Sequence, residues 1–274
     1  MAPVLQPAPD RRPDAREARD HRELEGPIDD VRGGAHGRRW YGAAVGPVPP
    51  VRRDSYAAGV SDVRARRVFA VTALCVLAGI VIQLFVAADH TGGRFTTPLH
   101  RGLNVFVFFT IQSNLILGVT TLLLAIRLER TSLVFRVFRL MGLVGIVVTG
   151  IVYHVAIRAF LHLDSWGLAA DHLLHTVVPV LAVYGWVGYG PRALTSPTVA
   201  RRTVLFPLAW FVFTLVRGWF VDWYPYTFID VTHLGYAKVA LNAVWIALLV
   251  FAIAAGATAL DARLARPARE PVAP

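Results

Sequence analysis

Apolar residues in this chain come in long blocks, without the alternation of a strand or the single stripe of a surface helix. Six blocks, roughly 68–88, 105–126, 137–160, 172–190, 204–221 and 237–259, approach or exceed the roughly 18 apolar residues that mark a bilayer-spanning helix. At about 1.5 Å of rise per residue, each is long enough to cross about 30 Å of hydrocarbon with some tilt. The pattern predicts an all-α polytopic membrane protein whose residues 68–260 form a six-transmembrane-helix bundle.

The flanks read differently. Residues 1–67 interleave Arg with Asp and Glu between Asp10 and Glu25, then run through Gly33, Gly34, Pro47, Pro49 and Pro50. With no apolar run to build a core, this stretch is expected to be a disordered cytoplasmic tail, and no secretory signal peptide is expected in it. Residues 261–274 are read as a short C-terminal tail.

Orientation follows from the loops. Arg64, Arg66 and Arg67 precede the first block, Arg127, Arg130 and Arg136 follow the second, Arg192, Arg201 and Arg202 follow the fourth, and Arg263, Arg266 and Arg269 follow the last. The alternate loops are poor in Lys and Arg: 162–171 and 222–236 have none, and 89–104 holds Arg94 and Arg101. The positive-inside rule then places both termini in the cytoplasm.

Composition agrees. Of 274 residues, 55% are hydrophobic and 17% charged, against about a quarter charged in soluble domains. The formal charge of +10 sits mainly in tails and loops, so it reads as membrane topology and not as a nucleic-acid surface. Arg and Ala abound while Lys238 is the sole lysine, a bias of GC-rich bacterial genomes that points to a bacterial inner membrane. Cys75 is the single cysteine, which excludes an intramolecular disulfide and a thiolate metal cluster. Membrane lipids are the expected partners, and no cofactor is expected.

Polar residues inside the apolar blocks gather at one end of this topology. Thr110, Gln112, Ser113 and Asn114 open the second block; His154 and Arg158 close the third; Asp171, His172 and His175 open the fourth; Arg217 and Asp222 close the fifth. Asp230, His233 and Lys238 lead into the sixth. Such groups are expensive in hydrocarbon and normally face a bundle interior or a wet cavity, so a polar pocket opening to the extracytoplasmic side is expected. Asp171 and His175 share a helix face, as do Thr110 and Asn114, and His154 and Arg158. Pro179 removes the amide that would bond the His175 carbonyl, predicting a kink at that turn.

Three chemistries fit these residues. Thr110 can act as a nucleophile with His175 as its base, Asp171 orienting the ring, and Gln112, Asn114 or Arg158 stabilising an oxyanion. A metal-dependent hydrolase would draw on His154, Asp171, His172, His175 and His233, although no compact metal signature is present. A non-enzymatic protein would bind or transport an anionic lipid or small molecule through Arg158, Arg217 and Lys238. Trp166, Trp219, Trp223, Tyr224 and Tyr226 read as an interfacial aromatic belt, with substrate lining as the alternative for Trp223 and Tyr226. Arg217 and Asp222 are placed to form an ion pair. Asn242 is expected to bond across helices, and Gly142, Gly145 and Gly150 to permit close helix contact.

The segments FFTIQSNL (Phe108 to Leu115), DHLLHTVVP (Asp171 to Pro179) and WYPYTFID (Trp223 to Asp230) resemble the androgen-induced transmembrane protein family and its bacterial six-helix relatives. The resemblance covers roughly residues 68–260. It implies an intramembrane threonine hydrolase that cleaves fatty acyl esters, the threonine falling on Thr110 and the histidine on His175. After the threonine this chain continues Gln112-Ser113-Asn114, where the eukaryotic members differ.

Overall fold

The computed structural model describes residues 62–265 apart from 92, 162 and 164. The expected tail over 1–61 and the last nine residues lie outside the described residues. Among the described residues all regular structure is helical: α1 (Asp62–Asp89), α2 (Pro98–Val105), α3 (Phe109–Ile126), α4 (Leu133–Val152), α5 (Ser165–His172), α6 (Val178–Tyr189), α7 (Pro197–Thr203), α8 (Leu205–Val221) and α9 (Val231–Leu264). A π-turn over Tyr153–Ile157 continues α4, and another over Leu173–Val177 joins α5 to α6.

Six helical runs are long and apolar enough to cross a membrane: Asp62–Asp89, Phe109–Ile126, Leu133–Ile157, Ser165–Tyr189, Pro197–Val221 and Val231–Leu264. These correspond one to one with the six apolar blocks. The bounds shift for local reasons. The first helix starts at Asp62, within the stretch read as tail, and lays Ala65 and Phe69 against Leu124, Leu128 and Phe135. The second run starts later than expected because α2 forms separately. Thr97 caps α2 by accepting the His100 amide, Pro98 fills its first turn, and the chain then breaks at Phe106–Phe108 before α3 begins. That break is pinned from two sides. The Gln112 side-chain amide donates to the Phe106 carbonyl at 3.0 Å, and the Trp210 indole donates to the Val107 carbonyl at 2.9 Å.

The last helix runs to Leu264 because Asp261, read as tail, is buried. Its Oδ2 accepts the amides of Leu194 and Thr195 and the Thr195 hydroxyl. This ties α9 to the loop before α7, at the end of the bundle that carries the arginine-rich loops. In the same loop Arg192 donates to the carbonyls of Trp186 and Val187 at the end of α6, a cation answering a helix C-terminus. Burial lowers its pKa.

The third run is the centre of the bundle, with Leu140, Val144, Ile146 and Val148 almost fully enclosed. Glycines let it come close to its neighbours. A methyl group at Gly142 would meet the Leu117 backbone at 3.0 Å, one at Gly145 the Ser113 hydroxyl at 2.7 Å, and one at Gly150 the ring of Pro179 at 3.3 Å. The fifth and sixth runs are the least enclosed, 17% and 11% buried over their most apolar windows, so α8 and α9 present most of their surface outward. Asp230 caps α9 by accepting the amides of Thr232 and His233. One turn later Gly235 adopts φ 73°, ψ 159°, a conformation open to glycine almost alone. Replacing Gly235 by Ala should therefore destabilise the protein by about 1–3 kcal/mol, read as a lower thermal midpoint in detergent.

Candidate functional site

The polar residues of three runs meet at the end of the bundle opposite the arginine-rich loops. Thr110 sits in the first turn of α3. Its Oγ1 lies 3.4 Å from Nε2 of His175, which projects from the π-turn between α5 and α6. The other ring nitrogen of His175, Nδ1, is 3.0 Å from the carboxylate of Asp171 and 3.2 Å from its carbonyl. The ring of Tyr153, from the π-turn after α4, stacks on the imidazole at 3.9 Å and 13°, and its hydroxyl lies beside the Asp171 carboxylate. Thr110, Tyr153 and Asp171 are buried and His175 is nearly so.

Local sequence explains this placement. Proline at 179 has no amide for the His175 carbonyl, and the helix answers by winding wide. The Val178 amide bonds the Leu173 carbonyl five residues back, so the expected kink takes the form of a π-turn. Such turns recur at functional sites because they re-aim side chains that a regular helix would point elsewhere. Gly150 lies against that turn, where a methyl group would stand 3.5 Å from the freed His175 carbonyl. Asn114 clasps the two helices together, its amide donating to the Thr110 carbonyl at 2.9 Å and to the Leu174 carbonyl at 3.4 Å.

Tyr226 completes the cluster from the loop between α8 and α9. Its hydroxyl accepts the Thr110 amide at 3.3 Å and stands 3.3 Å from Thr110 Oγ1. The loop is seated firmly. A methyl group at Gly218 would collide with the Tyr224 ring, and the Asn242 side chain, instead of bonding another helix, donates to the Phe228 carbonyl at 2.7 Å.

Thr110 and Tyr226 also line a cavity of about 350 Å³. Its walls come from the end of α4 (Val148, Thr149, Val152), from α8 (Leu208, Phe211) and from α9 (Val244, Ala247, Val250), and they are almost wholly apolar. This volume is in the range of small-molecule sites, which run from about 300 Å³ upward.

Other expected site residues lie elsewhere. Gln112 is turned to the helix break, and Asn114 is spent on backbone carbonyls. Arg158 opens a 3₁₀ turn, from which its charge acts on Asp171 and Tyr153 through space. His154 faces outward and meets the Thr176 hydroxyl at 3.1 Å. His172 is exposed, and His233 sits 3.7 Å from Asp230. Among the described residues no three His, Cys, Asp or Glu side chains converge as a metal site would require, so the five residues of the metal reading are not brought together. Asp222, in a left-handed turn at φ 49°, pairs with Arg94 at 3.7 Å and not with Arg217. Arg217 instead donates to Asn104 at 2.8 Å and lies over the rings of Phe95 and Trp223. Trp166 and Trp219 are exposed as belt residues would be, while Tyr224 is buried and Tyr226 turns inward.

No family model, curated protein or solved structure matches the chain. The functional reading therefore rests on the site itself. Tyr153 is the member of the cluster that the sequence did not single out, since a tyrosine inside an apolar helix reads as an ordinary membrane-protein feature. Tyr226 reads first as a belt residue, and it is the substrate-lining alternative that matches its place on the cavity wall.

Proposed function

We propose that this protein is an intramembrane hydrolase that cleaves an apolar, lipid-like ester, with Thr110 as nucleophile, His175 as general base and acid, and Asp171 holding the imidazole. The observation that carries the reading is the chain of contacts from Thr110 Oγ1 through His175 to Asp171, with Thr110 itself on the wall of an apolar cavity. With Nδ1–H donated to Asp171, the Nε2 lone pair of His175 faces the Thr110 hydroxyl. That is the tautomer a general base needs. The 3.4 Å separation is on the long side for a hydrogen bond, and such contacts commonly tighten when substrate is bound.

The reaction runs in two halves. Thr110 Oγ attacks the ester carbonyl carbon as its proton passes to His175 Nε2, and the carbonyl π pair moves onto oxygen. Collapse of the tetrahedral adduct breaks the bond to the alkoxy group, which leaves with the proton from His175. Water then attacks the acyl-threonine and gives a proton to His175. The second adduct collapses to a carboxylic acid as Thr110 Oγ leaves and regains its proton. The apolar walls of the cavity accept an acyl chain and keep bulk water from the charges that develop. The resemblance of FFTIQSNL and DHLLHTVVP to threonine hydrolases points to the same pair. The arginine-rich loops favour cytoplasmic termini with the site toward the outer leaflet, and the excess of Arg over a single Lys favours a bacterial inner membrane.

The test is covalent trapping. Purified protein in detergent, treated with a long-chain alkyl fluorophosphonate, should carry one adduct on the peptide containing Thr110, and should hydrolyse fluorogenic lipid esters with no loss of rate in a chelator. A folded wild type that neither reacts nor hydrolyses would overturn the proposal.

A second reading keeps one observation in its favour. The Arg217 nitrogen Nη1 is buried with no hydrogen-bond partner, a cost normally relieved by an acceptor. Non-enzymatic binding of an anionic lipid at Arg217 predicts that phosphatidylglycerol raises the thermal midpoint of the wild type and leaves Arg217→Gln unmoved, with phosphatidylcholine without effect on either.

A further inference from the structure

We propose that Tyr226 is a catalytic residue of this site, its phenol supplying the hydrogen bond that stabilises the oxyanion formed when Thr110 attacks an ester. The inference deepens the hydrolase reading and rests on it.

Directions of the hydrogen bonds around Thr110 lead to this role. The Thr110 proton is directed at His175 Nε2, whose other nitrogen is committed to Asp171. The contact of 3.3 Å between Thr110 Oγ1 and Tyr226 then runs the other way, with the phenol donating to a lone pair of the threonine oxygen. The phenol oxygen meanwhile accepts the Thr110 amide at 3.3 Å. In the resting state Tyr226 therefore holds the electron pair that must attack. When a carbonyl carbon reaches Oγ1, the phenol proton turns about its C–O bond onto the carbonyl oxygen, which frees the attacking pair and meets the charge as it forms. No covalent bond to Tyr226 forms or breaks.

A donor is worth most when it is already in place, since no reorganisation is then needed as charge develops. The Tyr226 ring is fixed by stacking on Phe228 at 5.2 Å and 16°, by an edge contact with Phe108 at 5.5 Å and by Trp210 at 5.9 Å. Burial raises the pKa of this phenol above its ordinary value, so it stays protonated and able to donate. Two rival donors are occupied, since Gln112 bonds the Phe106 carbonyl and the Asn114 amide bonds two backbone carbonyls, and the third, Arg158, does not line the cavity. Tyr226 lines the cavity together with Thr110 and Tyr153, and of the two phenols it is the one within 3.3 Å of Thr110 Oγ1.

The test uses full-length protein in detergent and the variant Tyr226→Phe, which keeps the ring contacts and removes the hydroxyl. Loss of one oxyanion donor lowers kcat by about 10²–10³-fold in acyl-transfer enzymes, and that drop is expected here with KM little changed. Hydrolysis of a matched ester and thionoester supplies a second measurement. Sulfur is a poor hydrogen-bond acceptor, so the wild type should prefer the ester strongly and Tyr226→Phe should lose most of that preference. This ratio does not depend on how much of the variant is folded. Wild-type kcat and an unchanged ester preference in Tyr226→Phe, with Thr110→Ala inactive, would overturn the role of Tyr226 and leave the hydrolase standing. An inactive wild type that also fails to react with fluorophosphonate removes both.

Discussion

Replacing Thr110 by Ala, or His175 by Ala, is expected to reduce kcat/KM for lipid esters by on the order of 10⁴-fold or more, because nucleophile and base act as one unit. Each change abolishes the only proton path from Oγ to Nε2 that the 3.4 Å contact supplies. The double variant should be no worse than either single one, since a broken unit cannot be broken twice. Thr110→Ser keeps the hydroxyl and should keep most of the rate, whereas a structural role for the threonine methyl would show as lost stability. The helix around Thr110 is insensitive to the loss of Oγ1, which caps nothing, so the thermal midpoint should hold. Rates and midpoints measured on the same preparations separate these outcomes. Activity of Thr110→Ala within tenfold of the wild type would end the threonine mechanism.

Much of the architecture is legible in the sequence because the bilayer demands it. Six apolar blocks yielded six long helices, and polar residues within those blocks stood out because hydrocarbon makes them costly. Thr110, Asp171 and His175 were visible for that reason, and helical spacing put Asp171 and His175 on one face. What decides the site was less visible. The break before Phe109 sits inside a run of apolar residues with no proline or glycine to mark it, and it is held by a distant indole and by Gln112. It places Thr110 in a first helical turn, next to amides that lack helical partners. Pro179 announces a kink at the turn that begins at Leu173, though not its π form, and the π-turn at Tyr153 has no such marker in the sequence. Tyr226 reaches Thr110 across 116 residues of sequence, a separation that periodicity does not register. The pocket expected at this end was polar, whereas the cavity is almost wholly apolar because α8 and α9, whose uniformly apolar surfaces mark no face, supply much of its wall.

Asp171→Asn is the sharper probe of the arrangement, because it removes a charge and one acceptor oxygen while keeping shape. In the native site the carboxylate accepts from His175 Nδ1 at 3.0 Å and leaves Nε2 free to take a proton. An asparagine amide turned toward Nδ1 donates to it, so the ring proton moves to Nε2 and a donor then faces Thr110. The hydroxyl loses its base, and the imidazolium formed during attack loses its counter-charge. In serine hydrolases the same change costs about 10⁴-fold in kcat with the geometry intact, and a loss of that order is expected here. Stability should move little. The carboxylate is buried beside the Tyr153 hydroxyl, and replacing a buried charge by a neutral amide of the same shape removes a desolvation penalty even as it weakens the bond to His175. Tyr153 still stacks on the imidazole at 3.9 Å and keeps the ring in place. A variant with a normal thermal midpoint and a rate lowered by orders of magnitude marks Asp171 as the group that sets the His175 tautomer. A variant with lowered stability and a nearly normal rate per folded molecule marks it as a packing residue, and the triad would then reduce to a Thr110–His175 pair.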